Sequence, residues 1–380
     1  MAIKALMIEH FGGENPYSYC LCNSLAKLDI DLTLITTSSF SKYNLCEFKT
    51  LLYYPAFEKG KIKKILKYIY ALAKTFLTIR KGKYDVIHFQ TFRKLNIEWL
   101  LFIVISYLYK NTIITVHNVL PHEETFYCRL ICKWIYIYAR KIIVHNGFVY
   151  DTLQALLNMH FKKEKICKIP HGNYDYYNKY TDYINISIAY TPKTNSTPLL
   201  KMMMFGVMRE YKGLDILLKA FSKIEQENVE LLICGRAKID YCRKHEALAK
   251  ELNINSKVTF DWREIPEDQL VQTVSKADIL LYPYRKIYQS GALMLAYTLG
   301  KPVIVSMAEG FREDVTDKVN GYITDFTNVE EFSALVTYII THKGDLEKIG
   351  KHNKELSYSK YCWNEVALKT FDLYKQLKRS

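Results

Sequence analysis

The chain has few residues that break regular structure, with 9 prolines and 15 glycines in 380 residues. Fibrous and low-complexity classes are excluded on that count, and 49% hydrophobic residues fit a globular protein. No run is long enough to span a bilayer: the longest apolar stretch, Trp99 to Tyr109, is roughly half of what a transmembrane helix requires. The start MAIKALMIEH has one Lys before a short β-type run, which fits neither a signal nor a transit peptide, so a cytoplasmic location is expected. Cysteine offers no disulfide framework, since nine residues, an odd number, are scattered from Cys20 to Cys362. The close pairs Cys20/Cys22 and Cys128/Cys132 have no second pair at zinc-site spacing, and no metal is expected. Also missing is G-x-G-x-x-G after the first β-type run, where His10-Phe11-Gly12-Gly13-Glu14-Asn15 stands instead. That argues against a dinucleotide-binding oxidoreductase.

Acids are absent from one long segment. From Lys59 to Lys83 there are nine Lys or Arg and no Asp or Glu, interleaved with Ile62, Ile65, Leu66, Ile69, Leu72, Phe76 and Leu77. The spacing predicts a basic amphipathic helix, either lying on an anionic membrane surface or presenting an ordinary solvated face. The net charge of +14 calls for an anionic partner, and nucleic acid, membrane and phosphorylated small molecule compete for that role.

What is present is an alternation. IKALMIE, DLTLIT, KTLLYY, DVIHFQ, TIITVH, KIIVH and KICKIP are separated by segments of helical length, which predicts a parallel sheet wound on both faces. A polar stretch from Tyr180 to Thr197 reads as a linker, after which KMMMFG, VELLICG, KVTF, ADILLYP and PVIVS restart the pattern. The expected architecture is α/β, with two doubly wound Rossmann-like domains facing a cleft: residues 1–185, residues 186–360, and a last helix over 361–380 crossing back to the first. Ligands in such sheets bind beyond the carboxyl ends of the strands. Asp29-Ile30-Asp31 has the form of a metal-binding D-x-D, but between a helix and a strand it reads as a turn.

Two loops in the second half suit a phosphate. After KMMMFG, Arg209 and Lys212 stand three residues apart before Gly213, close enough to share one diphosphate. After ADILLYP, Gln289-Ser290-Gly291 opens a helix, whose unblocked N–H groups and dipole favour an anion.

This pair of loops resembles the donor half of glycosyltransferase family 4, the retaining GT-B enzymes. The resemblance continues through Gly12-Gly13, Asp85-Val86-Ile87-His88, Thr115-Val116-His117-Asn118, Pro121-His122-Glu123, Val144-His145-Asn146 and Ile169-Pro170-His171-Gly172 in the first half. In the second it includes Phe205-Gly206, Tyr211-Lys212-Gly213, Ile233-Cys234-Gly235 and Gly300-Lys301-Pro302. It implies a GT-B fold and Arg209 and Lys212 as the charges on the donor diphosphate. Gly12, Gly13, Gly206, Gly235, Gln289, Ser290 and Gly291 are the further donor contacts it implies, with His117 lining the sugar site. His88, His122, His171 and Glu313 are candidates for the acceptor or sugar site, and residues 260–265 for the base. Two departures stand out: Ile287 and Leu295 occupy the positions of the family's paired glutamates, and Val207 replaces an Arg after the glycine.

The expected function is transfer of a hexose from a UDP- or GDP-sugar, with retention, to a lipid-linked or oligosaccharide acceptor at the inner face of the cell membrane, in surface polysaccharide synthesis. No cofactor, metal or nucleic acid is expected. The alternative is a non-catalytic membrane- or nucleic-acid-binding protein on a degenerate GT-B scaffold, which the missing glutamates favour and the retained Arg209, Lys212 and Gln289-Ser290-Gly291 oppose.

Overall fold

The computed structural model describes residues 2–10, 16–43, 46–55, 61–92, 95–121, 125–157, 163–180 and 199–379. It divides into two compact units, Met1–Gly172 with Tyr361–Ser380, and Asn173–Lys360. The division falls after Gly172 rather than after residue 185. Apart from Tyr180, the linker stretch lies outside the described residues, as do Gly12, Gly13 and His122.

The first unit is built on β1 (Ile3–Glu9), β2 (Ile30–Thr37), β3 (Lys49–Tyr54), β4 (Val86–Thr91), β5 (Thr112–Val116), β6 (Lys141–Val144) and β7 (Ile166–Lys168). They form one parallel sheet in the order β3-β2-β1-β4-β5-β6-β7. Its helices are α1 (Tyr17–Ala26), α2 (Lys61–Gly82), α3 (Leu95–Leu108), α4 (Phe126–Tyr138) and α5 (Gly147–Leu156). A sheet covered on both faces has no solvated side, so its central strands are unbroken apolar runs. Ala5, Leu6, Met7 and Ile8 of β1 are accordingly 0% exposed. Asp29 lies in the bend before β2, and Ile30 and Asp31 begin the strand.

The second unit holds β8 (Leu200–Phe205), β9 (Val229–Cys234), β10 (Val258–Asp261), β11 (Ile279–Tyr282), β12 (Val303–Val305) and β13 (Tyr322–Ile323), in the order β10-β9-β8-β11-β12-β13. Around it are α6 (Leu214–Phe221), α7 (Ile239–Glu251), α8 (Glu267–Ser275), α9 (Gly291–Thr298), α10 (Val329–Thr341) and α11 (Lys343–Tyr358). β13 does not appear in the sequence reading, because two residues are too few to establish a strand pattern.

The last helix, α12 (Trp363–Arg379), packs on α1, β1 and β4 of the first unit. Asn111 donates from Nδ2 to the Leu377 carbonyl at 3.1 Å, and Lys378 pairs with Asp85 at 3.0 Å. A Cβ on Gly172 would stand 2.4 Å from the Trp363 ring, so glycine is what lets the indole close on the chain there.

Candidate functional site

In the second unit the sheet order reverses between β8 and β11, and crevices at such a switch point are where open parallel sheets bind ligands. Both phosphate-type loops start there. β8 ends at Gly206, with φ +104°, and a 3-10 turn over Glu210–Lys212 leads to Gly213 at φ +72°. A Cβ on Gly213 would lie 2.1 Å from the Pro283 carbonyl oxygen. Glycine therefore seats the turn against the end of β11. Arg285 braces it from the other side. Its backbone N–H donates to the Tyr211 carbonyl at 2.8 Å, and its guanidinium donates to the Glu210 carbonyl and pairs with Asp215, both at 2.6 Å.

This bracing drives Lys212 inward. The residue is 7% exposed, with Nζ 3.5 Å from the Phe205 carbonyl oxygen and 5.5 Å from the centre of the Tyr284 ring. Loss of hydration, reinforced by the Arg209 charge, pulls its pKa down to about 8. Arg209 itself is exposed, and no hydrogen bond or ion pair engages its guanidinium among the described residues. One cation is thus fixed and partly desolvated, and the other can move.

Ser290 is the N-cap of α9, its Oγ accepting from the Leu293 N–H at 3.2 Å, and its side chain is near enough to the buried Tyr284 hydroxyl to offset part of the upward pKa shift that burial causes there. Tyr284 therefore stands between the two loops, with Lys212 over its ring and Ser290 near its hydroxyl. The glycine opening α9 is tightly enclosed, since a Cβ on Gly291 would stand 2.5 Å from the Tyr174 hydroxyl. Gly235, at φ +132°, would carry a Cβ 2.2 Å from the Gly206 carbonyl oxygen, so the ends of β8 and β9 meet glycine to glycine. Gln289 is half-buried beside Ser290.

The positions of the absent glutamates are part of the core: Ile287 is 6% and Leu295 4% exposed. Lys301 donates to the Ser275 and Ala277 carbonyls at 3.0 and 2.6 Å, closing the end of α8 rather than facing a ligand. Glu313 is exposed, just beyond the 3-10 turn Glu309–Phe311. In the stretch read as base-binding, Phe260 and Trp262 stack at 5.1 Å, and Trp262 donates from Nε1 to Glu246 at 2.6 Å.

In the first unit, His117, His145 and His171 follow β5, β6 and β7 and gather around Tyr17 of α1. Tyr17 meets them edge-on, with ring centres 4.8, 5.7 and 4.8 Å away, and lies 5.0 Å from Trp363. The hydrogen bonds fix the proton positions. His145 Nδ1 is 2.9 Å from the Ile169 carbonyl oxygen, which can only accept, so Nδ1 carries the hydrogen. Burial holds the His145 pKa at about 3, leaving the ring neutral and its Nε2 a bare acceptor. His117 Nδ1, 3.2 Å from that Nε2, is then the donor. Burial and the neighbouring histidines hold His117 well below its usual pKa, so it is neutral with the lone pair on Nε2, and it keeps partial exposure. His171 Nδ1 donates to the Gly172 carbonyl at 2.6 Å, and burial holds its pKa at about 4.

His88 does not join this group as an acceptor-side residue. It is 0% exposed, with Nδ1 on the Tyr374 hydroxyl at 2.7 Å and Nε2 on Thr115 at 2.8 Å. Both nitrogens are used within the core, which corrects its reading as a sugar-site candidate. Sequence reasoning also passes over Tyr284, Tyr17 and Trp363, although Tyr284 stands two residues past the end of a strand it had identified. The buried pair of His10 and Glu98, 3.3 Å apart and 0% exposed, has no local sequence signal at all.

Two family models match the chain. One, described as Glycosyltransferase Family 4, covers residues 11–172, and one described as Glycosyl transferases group 1 covers residues 192–356. An uncharacterized glycosyltransferase of Methanocaldococcus jannaschii is 27% identical over 242 residues, 60% of this chain and 60% of that protein. The GDP-mannose:glycolipid 4-beta-D-mannosyltransferase of Xanthomonas campestris pv. campestris is 25% identical over 198 residues, 51% of this chain and 50% of that protein. The matches thus span only about half to three fifths of these relatives' own lengths. Among solved structures, the Anabaena HepE protein in complex with UDP and glucose aligns with a TM-score of 0.73 at 15% identity, over 98% of this chain and 100% of that one. At that identity the likeness is one of fold.

Proposed function

The chain belongs to glycosyltransferase family 4 and has the GT-B fold, and from that premise we propose that it moves a hexose from a UDP- or GDP-sugar, with retention, to a lipid-linked saccharide at the inner membrane face, in surface polysaccharide synthesis. The observation that carries the donor assignment is the junction at Tyr284, where Lys212 and the α9 start meet beyond the ends of β8 and β11. Lys212 supplies a buried charge for the leaving diphosphate and Arg209 a mobile one. The α9 amides, ahead of the first intrahelical bond, supply donors. Together they stabilise the negative charge that develops as the glycosidic bond to the diphosphate breaks. His117, held neutral by burial and the neighbouring histidines, is the residue that the family likeness assigns to the sugar site.

The relatives support the substrate classes. The Xanthomonas protein is named for a GDP-mannose donor and a glycolipid acceptor, and the Anabaena structure holds UDP and glucose. Because Ile287 and Leu295 replace the carboxylates that hold sugar and ribose in the family, donor selection here rests on other residues. Titration with UDP, GDP and their sugars identifies the base. Replacing Arg209 and Lys212 by Ala should lower turnover by roughly 100-fold or more for each charge removed, read from release of the nucleoside diphosphate. Full retention of turnover in the double variant would remove the clamp assignment.

A further inference from the structure

A helix packed on a core needs one apolar stripe, and α2 has two. Tyr68, Ala71 and Ile79 are buried, whereas Leu66, Ile69 and Tyr70 are 63, 52 and 67% exposed. The pattern continues on the neighbouring helices, since α3 packs beside both α2 and α4. On α3, Leu100, Val104 and Tyr107 follow one another at helical spacing and are 54, 46 and 78% exposed. On α4, Phe126, Leu130 and Trp134 do the same at 79, 42 and 48%. Scattered exposed apolar residues are ordinary, but three adjacent helices that each carry an exposed stripe concentrate apolar surface in one region, which calls for a partner.

Among the described residues of these three helices, the exposed charge is of one sign. Lys63, Lys74, Arg80 and Lys81 on α2 and Arg129 on α4 are exposed. The three helices contain a single acid, Glu98, and it is buried against His10. Protein interfaces mix both signs at their rims, whereas an apolar and aromatic face set among cations without carboxylates complements anionic lipid.

We propose that α2, α3 and α4 together form a seat for an anionic bilayer, the cations of α2 meeting the headgroups and Tyr107, Phe126 and Trp134 entering the acyl boundary. This deepens the reading of a membrane-held acceptor and rests on it for its purpose, while the binding itself is measured without any sugar transfer.

The test uses the full chain with vesicles of phosphatidylcholine alone and with phosphatidylglycerol added, at low and high salt. Wild type should bind the anionic vesicles, with Trp134 fluorescence shifted to the blue and quenched by brominated acyl chains, a signal absent from Trp134→Phe. Tyr107→Ser and Phe126→Ser should each weaken binding about 10-fold, the scale of one large apolar side chain leaving a nonpolar setting, and chiefly the part that persists in high salt. Exchanging Lys63, Lys74 and Lys81 for Gln should remove the salt-sensitive part. Unchanged melting of these variants shows that the fold is intact, since every position is on the surface. The proposal is overturned if wild type ignores anionic vesicles or if the serine variants bind as well as wild type. It is equally overturned if sedimentation shows a dimer, dissociated by the same substitutions, in place of vesicle binding. Vesicle binding without transfer from any donor would leave this surface standing and remove the catalytic reading.

Discussion

Lys212 holds its charge where the surroundings oppose it. With its pKa drawn down to about 8 by burial and by Arg209, the amine loses its proton in mildly alkaline solution, and a diphosphate beside it would restore the charged form. Binding therefore takes up a proton near and above pH 8, and donor affinity should fall as pH rises through that value. The slope can approach about 10-fold per pH unit. Calorimetry in buffers of different ionisation heat measures both effects, and Lys212→Met should bind weakly at neutral pH with no such dependence. A flat wild-type profile between pH 7 and 9.5 would mean that the anion does not sit beside this amine. The position of Lys212 after a strand and before Gly213 is visible in the sequence. Its burial is not, because that depends on Arg285 and Tyr284, more than 70 positions away.

Among the elements, the strands other than β13 are the most legible, since each is a short run of apolar residues that adjacent positions announce together. α12 is different. Its amphipathic pattern predicts a helix, but its attachment is made through contacts with residues far back in the chain, among them the bond between Tyr374 and His88. Tyr374→Phe removes that hydroxyl and leaves a fully buried imidazole nitrogen without its partner. Denaturant unfolding should show a loss of about 1–3 kcal/mol in the transition of the first unit. A loss below about 0.5 kcal/mol would show that the contact contributes packing but no needed hydrogen bond. The same contact explains why His88, which lies inside β4 rather than at its end, cannot serve an acceptor: α12 closes over it.

Across the whole molecule, the histidines tie stability to acid. His88, His145 and His171 have pKa values of about 3, 3 and 4 in the folded chain, against 6.5 without burial, and His117 shifts the same way. The unfolded chain binds more protons between these values, so stability is complete above about pH 6.5 and falls as the pH drops below it, by about 1 kcal/mol per group per pH unit. All four are in the first unit. Scanning calorimetry from pH 7.5 to 5.5 should therefore show its transition falling further than that of the second unit, and His145→Asn should lessen the fall. Equal displacement of both transitions would contradict the assignment. What the sequence determined by itself was whatever neighbouring residues encode: the β-type runs of both halves, the glycine-flanked cationic loop, the Ser-Gly helix start, and a basic segment without acids. Only the tertiary structure decided which of these residues meet. Tyr284 stands between the two loops, three histidines close on Tyr17, His88 disappears beneath α12, and α2, α3 and α4, each with exposed apolar residues, pack side by side. The reason is physical: periodicity is a property of residues a few positions apart, while burial and contact depend on the order in which a parallel sheet lays distant segments side by side.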